Sequence, residues 1–448
     1  MKEGLDRRSF IRTTAAAGLG LGLGGTLAGC SDRPLPPPEG FQPDPIDTVR
    51  MGFVGVGHQG ASHVRNFLGI PGVEIRAVCD IVQEKAERIA ERVVEGGQPR
   101  PVLYTGGHED FRRMCGEEEL DLVFNATPWK WHHPVCREAM EQGKHAATEI
   151  PMAISLEECW DLVETSERTR RHCVPMENCC YDRTELMILN MVRQGLFGDL
   201  LHAECGYLHD LRELKLSEFY EEEWRIEHSA RRNADLYPTH GVGPVSQWLD
   251  INRGNRYEHL VSMASPGIGL NRYAAGEYGS GSPRAQRRYA LGDVVNTLIK
   301  THRGESILLT HDTNSPRPYS RRILLQGSRG LIRKYPDQRI HIEGRSPAHR
   351  WEEAEAYVEE FEHPLWSEMR ERSRGAGHGG MDYIEDWRLI KCLREGLPMD
   401  MDVYDGAAWS SLIELSERSI ARRSASMACP DFTRGAWRSR PPLGIVHA

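Results

Sequence analysis

Gly55-Val56-Gly57-His58-Gln59-Gly60, with Asp80 twenty positions beyond the last glycine, has the residue types and spacing to hold a phosphate-bridged nucleotide. Gly52-Phe53-Val54 reads as a strand running into the glycines, and Ala61 to Leu68 as the helix that follows. A chain turning that sharply needs glycine, and glycine lets the backbone approach a pyrophosphate seated on the helix N-terminus. Asp80 closes the apolar run Val73 to Cys79, a second strand. A carboxylate there accepts from both ribose hydroxyls and repels a 2′-phosphate, which favours NAD over NADP. A lone glycine pattern is equally an ordinary tight turn; strand, helix, second strand and terminal acid together point to dinucleotide binding.

The surrounding pattern supplies the elements that must position these residues. Helix Gln83 to Val94, strand Val102 to Tyr104, helix Glu109 to Met114, strand Leu120 to Thr127 and helix Pro134 to Gln142 alternate as a parallel α/β sheet requires. Strand His145 to Glu149, helix Leu156 to Arg170 and strand Cys173 to Asn178 complete it. The rhythm then changes. A helix over Thr184 to Gln194, a strand over Leu200 to Tyr207 and a long polar loop lead to a helix over Tyr237 to Leu249. Val294 to Lys300, Ser306 to Thr310 and Arg322 to Gln326 read as antiparallel strands of a mixed sheet. Residues 267–288 and 342–380 read as irregular, and Asp405 to Ala421 as a last helix. The fold class is α/β, an N-terminal Rossmann domain with a parallel sheet followed by an α+β domain with a large open mixed sheet. The expected divisions are 48–180 for nucleotide binding, 181–400 for substrate, and 401–448 as a helix and tail packing back on the body.

Residues 1–30 read as an address. Asp6-Arg7-Arg8-Ser9-Phe10-Ile11 matches a twin-arginine export signal, and Leu27-Ala28-Gly29-Cys30 a lipoprotein cleavage site with Cys30 as the lipidated residue. The expected location is periplasmic, or membrane-anchored through Cys30. Residues 31–47 are proline-rich and polar, an extended tether. Twin-arginine export carries proteins already folded, which suits an enzyme that must load a nucleotide inside the cell. The chain carries a net charge of −9. Lys2, Arg7, Arg8 and Arg12 against Glu3 and Asp6 give the address +2, so the remainder stands near −11. That balance argues against a nucleic-acid partner. Beyond Cys30 the cysteines have no regular spacing and read as small buried hydrophobes, not a disulfide framework.

Trp129-Lys130-Trp131-His132, Glu149-Ile150-Pro151, Glu177-Asn178-Cys179-Cys180-Tyr181, His202 to Asp210, Trp224-Arg225, Tyr237-Pro238-Thr239-His240-Gly241 and Asp250 to Gly254 stand in one order across the chain. In them it resembles the Gfo/Idh/MocA oxidoreductases, and more narrowly glycoside hydrolase family 109, the NAD-dependent α-N-acetylgalactosaminidases. Dehydrogenases of the wider group commonly carry Glu-Lys-Pro where this chain has Glu149-Ile150-Pro151, so the lysine that assists alcohol oxidation is absent. The resemblance implies a redox-assisted hydrolysis: hydride removal at C3, loss of the acidified C2 proton, elimination at C1, water addition and hydride return. It implies NAD as cofactor, held by Gly55, Gly57, His58, Gln59, Gly60, Asp80, Trp129, Lys130, Trp131, His132, Glu149, Ile150 and Asn178. His240, Tyr237, Tyr319 and Tyr207 are the expected catalytic and substrate-binding residues, with Arg225 as a donor to the sugar. A tyrosine serving as base needs its pKa of about 10 lowered. Each of these side chains has a structural alternative: packing for the tryptophans and tyrosines, a backbone-satisfied ring for His240, a surface salt bridge for Arg225.

No metal site is evident from the spacing of histidines and cysteines. A homodimer is expected, because open sheets of this type often pair. Two other readings stay open: an NAD-dependent sugar or polyol dehydrogenase, and a carbohydrate-binding lipoprotein that keeps the nucleotide only as structure.

Overall fold

The computed structural model describes residues 44–219 and 221–444. The export signal, Cys30 and most of the tether lie outside the described residues.

Six strands form a parallel sheet: β1 (Val49–Val54), β2 (Val73–Cys79), β3 (Val102–Tyr104), β4 (Leu122–Asn125), β5 (His145–Glu149) and β6 (Cys173–Met176). Their order is β3-β2-β1-β4-β5-β6. The central strands are buried on both faces, as Phe53 and Val54 of β1 and Val123 and Phe124 of β4 show, which is why they read as near-continuous apolar runs. The order reverses direction between β1 and β4, and ligands bind in the crevice at the carboxyl ends of the strands there. The glycine loop leaves β1 at that point. Helix His58–Leu68 begins at Gly57, inside the glycine loop.

The second sheet has nine strands and is mixed. Its centre is β7 (Leu200–Leu208), β8 (Tyr257–Ala264), β9 (Val295–Thr301) and β10 (Ser306–Asp312). β10 runs parallel to β7 and antiparallel to β9, and β9 pairs antiparallel with β8. Helices Thr239–Trp248 and Val403–Ala421 cover one face of this sheet. The latter also packs on helix Leu156–Thr169 and on β6, so it ties the two sheets together. Its start is fixed by a capping box in which Asp402 and Asp405 satisfy each other's backbone amides.

Several expectations are corrected. The polar loop before Tyr237 contains helices Arg212–Leu216 and Trp224–Arg231, and residues 267–288 contain helix Gly269–Tyr278. Short helices, Val358–Phe361 and Pro364–Met369 among them, occupy residues 342–380. β8 and helix Met381–Glu395 are additional elements, and that helix packs on helix His58–Leu68 of the parallel sheet. The ten cysteines from Cys79 to Cys429 are all buried and free, as expected of apolar packing residues.

Candidate active site

The carboxyl ends of the parallel strands and the covered face of the mixed sheet enclose a cleft of about 980 Å³, at the upper end of the range for small-molecule sites. The glycine loop forms its floor. Gly55 has φ +80°, and a Cβ there would meet the Ala126 carbonyl oxygen at 2.8 Å. A Cβ on Gly60 would lie 2.1 Å from the Gly55 oxygen, so this glycine lets the helix close against the turn and does not itself face the cleft. Gly57 has nothing within 4 Å of its Cβ position. It presents bare backbone to the cleft at a helix N-terminus, where a pyrophosphate would sit. His58 and Gln59 flank it, and Arg65, Lys85, Arg88 and Arg92 bring positive charge to the same end.

Asp80 lines this end with both oxygens engaged: Val56 N–H donates to Oδ2 and Val82 N–H to Oδ1, each at 2.8 Å. Each oxygen keeps a lone pair for a ribose hydroxyl. Trp131 stacks on His108, with centroids 5.6 Å apart. Lys130 does not itself line the cleft but pairs at 3.0 Å with Glu222, which does. His132 lines the cleft, and both its ring nitrogens face backbone carbonyls, Pro151 and Thr127, each at 2.7 Å, so the ring pins two strand-end loops.

At the other end of the cleft stand Trp129, Glu149, Ile150, Asn178, Tyr207, Arg225, Tyr237 and His240. His240 opens helix Thr239–Trp248. Its Nδ1 lies 2.7 Å from Oε1 of Glu177, a side chain with no exposure. A carboxylate accepts, so Nδ1 carries the proton and Nε2 is left as a basic nitrogen. Burial works against charge on Glu177, but His240 and the Cys179 amide outweigh it and hold the carboxyl below its ordinary value. Tyr207 and Tyr237 pack edge-on to the imidazole at 5.3 and 4.9 Å.

Tyr237 also stacks on Trp129 at 5.6 Å. The Arg225 guanidinium lies over Trp129, Trp224 and Tyr237 at 5.2, 4.9 and 5.7 Å, a set of cation–π contacts. Tyr319 stands at the rim, edge-on to His209 at 5.1 Å. The expected lowering of tyrosine pKa is corrected: burial pushes both Tyr237 and Tyr319 up. These phenols remain hydrogen-bond donors, beside the unprotonated Nε2 of His240.

Glu177, Cys179 and His240 place ligand atoms within 4.8 Å of one another, a cluster that sequence spacing did not reveal. Arg321 Nη1 donates to Cys179 Sγ at 3.2 Å. A fixed guanidinium at the sulfur opposes a cation, and the trio fits a proton-handling dyad with a packed thiol. Sequence reasoning also missed His63, Asp386, Asp382 and His378. Asn178 Nδ2 donates to Asp382 at 2.7 Å, and His378 pairs with the same carboxylate at 2.8 Å. Among the described residues, three acids line the cleft and each is engaged: Asp80 by the two amides, Glu149 by His63 at 2.8 Å, and Glu222 by Lys130.

Comparison with known proteins gives the same picture. Residues 49–176 match the oxidoreductase family with an NAD-binding Rossmann fold, and residues 181–439 match the glycosyl hydrolase 109 C-terminal domain. The N-terminal part is therefore an NAD-binding domain, and the bare Gly57 backbone is where the dinucleotide fits. A glycosyl hydrolase family 109 protein of Shewanella baltica (strain OS185) is 44% identical over 458 residues, covering 99% of each chain. One from Shewanella pealeana is also 44% identical, over 460 residues with the same coverage. Among solved structures, levoglucosan dehydrogenase in complex with NADH matches with a TM-score of 0.65 at 18% identity, over 86% of this chain and 100% of that one. Scyllo-inositol dehydrogenase from Lactobacillus casei matches at 0.60 and 13%, over 86% and 99%. Those two share the fold; the sequence relatives and the matched C-terminal domain show that this chain belongs to glycosyl hydrolase family 109.

Proposed function

We propose that this protein is an exo-glycosidase that removes terminal α-linked N-acetylgalactosamine by an oxidation, elimination, water-addition and reduction cycle. The observation that carries the reading is the state of the acids. Ordinary glycosidases aim two carboxyl groups at the scissile bond. Here the acids that line the cleft among the described residues are tied to amides, His63 or Lys130, while an imidazole activated by a buried glutamate stands opposite the nucleotide loop. When bound, NAD supplies a hydride acceptor and returns the hydride.

The rest is work for the chain's own groups. Nε2 of His240 takes a proton from the sugar, and Glu177 stabilises the imidazolium. Tyr207 and Tyr237 donate hydrogen bonds to the oxygens that gain charge. Trp129 offers a face for the sugar ring, and Arg225 donates to hydroxyls or the acetamido oxygen. The walls of Trp129, Trp224 and Tyr237 keep bulk water from the basic nitrogen.

A chromogenic α-N-acetylgalactosaminide assay without added cofactor tests this. Aglycone release without accumulation of reduced cofactor is the expected outcome. Accumulation of reduced cofactor would instead establish a sugar or polyol dehydrogenase, and neither signal a binding protein.

The twin-arginine pattern and Cys30 support export as a lipoprotein, testable by the membrane association of a Cys30→Ser chain. The uncovered face of the mixed sheet supports a homodimer.

A further inference from the structure

Glu149 ends β5 in the cleft, yet its carboxylate is held from behind. His63, on helix His58–Leu68, is 1% exposed. Its Nε2 lies 2.8 Å from Glu149 Oε1, and its Nδ1 lies 2.8 and 2.9 Å from the two oxygens of Asp386 on helix Met381–Glu395. Asn66 Nδ2 donates to Asp386 at 2.9 Å. Phe124 and Phe67 pack on the imidazole, at 4.6 and 6.4 Å.

A neutral imidazole has one N–H, and both nitrogens here face carboxyl oxygens, so the triad holds a further proton, on the ring or on a carboxyl group that donates it to the ring. Burial opposes charge on His63, but the two carboxyl groups outweigh it and push the ring up, while burial pushes Asp386 up to about 6. Either placement ties the ring on both sides and fixes Glu149 Oε1 against Nε2. Burial raises the neighbouring Glu385 toward its neutral form, and Asp382 is balanced by His378.

We propose that Asp386 and His63 are positioning residues that hold the Glu149 carboxylate aimed at the nicotinamide end of the cleft, where its charge favours the oxidised, cationic cofactor over the reduced, neutral one. The Gly57 loop takes the pyrophosphate and Asp80 the adenosine ribose, so the nicotinamide falls on the β5 side, beside Glu149. The inference rests on the NAD-binding fold and not on the glycosidase reading, so either can fail without the other.

A redox titration of the holoenzyme, following the near-ultraviolet absorbance of reduced cofactor, tests it. Glu149→Gln removes the charge and raises the bound cofactor's midpoint potential; a tenfold change in the ratio of affinities is about 30 mV for a two-electron couple. His63→Phe is expected to raise it in the same direction by a similar tenfold equivalent. Asp386→Asn, the milder change to use if His63→Phe does not fold, is expected to raise it by less. In the Glu149→Gln background neither second substitution adds anything. An unchanged or lowered potential in the His63 or Asp386 variant, or a shift that persists without Glu149, would overturn the proposal.

Discussion

His240 has one ring nitrogen committed to Glu177 and one turned to the cleft, an arrangement that a bystander histidine does not need. His240→Ala is expected to abolish aglycone release while the purified protein keeps its NAD, read by the absorbance of released cofactor. Glu177→Gln keeps a hydrogen-bond partner but removes the charge, and kcat is expected to fall about 100-fold, the scale of general acid–base catalysis. The same variant carries a stability signature. The fold holds the Glu177 carboxyl below its ordinary 4.5. Its contribution is therefore fully present above that pH and is lost as pH falls through the folded value. Thermal unfolding should show the Gln variant less stable than the parent near neutrality, with the gap closing at acid pH. A gap independent of pH would remove the charge from the explanation.

At the scale of elements, the strand–glycine–helix unit separates folding from binding. Gly57 has open space where a side chain would go. Gly57→Ala is expected to fold with an unchanged Tm and lose at least about tenfold in NAD affinity, because the methyl fills the pyrophosphate cradle. Gly60→Ala drives a methyl into the Gly55 carbonyl and is expected to lose Tm and cofactor together. Paired calorimetry and cofactor binding distinguish the two; a Gly57→Ala chain with full affinity would put the pyrophosphate elsewhere.

These elements were legible in the sequence. β2, β3 and β5 fall where the apolar runs end, and Asp80 and the glycines stand where the spacing put them. Two others were not. Helix Met381–Glu395 buries Asp382, Glu385, Asp386 and Arg388 among Ile384, Leu389, Ile390 and Leu393, so charges interrupt the apolar stripe that would mark it. β8 shifts register between Tyr257 and His259, which breaks the alternation that would reveal a strand. The partners of His240 and Glu149 were hidden for a related reason: Glu177 is 63 residues from His240, His63 is 86 from Glu149, and Asp386 is 323 from His63. Only the fold brings them together.

For the molecule as a whole, the mixed sheet leaves one face uncovered. Val261, Leu298 and Leu308 are cross-strand neighbours there, with Glu204 next in the row. Leu298 is 52% exposed and Met263, two residues along from Val261, is 66% exposed. An apolar row of this kind costs free energy in water, and the proposed homodimer would cover it with a second copy of the same face. Leu298→Glu is expected to halve the solution mass measured by light scattering; a parent chain that is already monomeric would contradict the pairing.

The cleft joins an NAD-binding loop to an imidazole in one enclosed volume, and in the proposed cycle the two act on the same sugar. Cleavage of N-acetylgalactosaminide deuterated at carbon two, in ordinary water, tests this. Slower cleavage is expected, with a released sugar that has exchanged its deuterium for a solvent proton. Cleavage at the undiminished rate with the deuterium retained would contradict it.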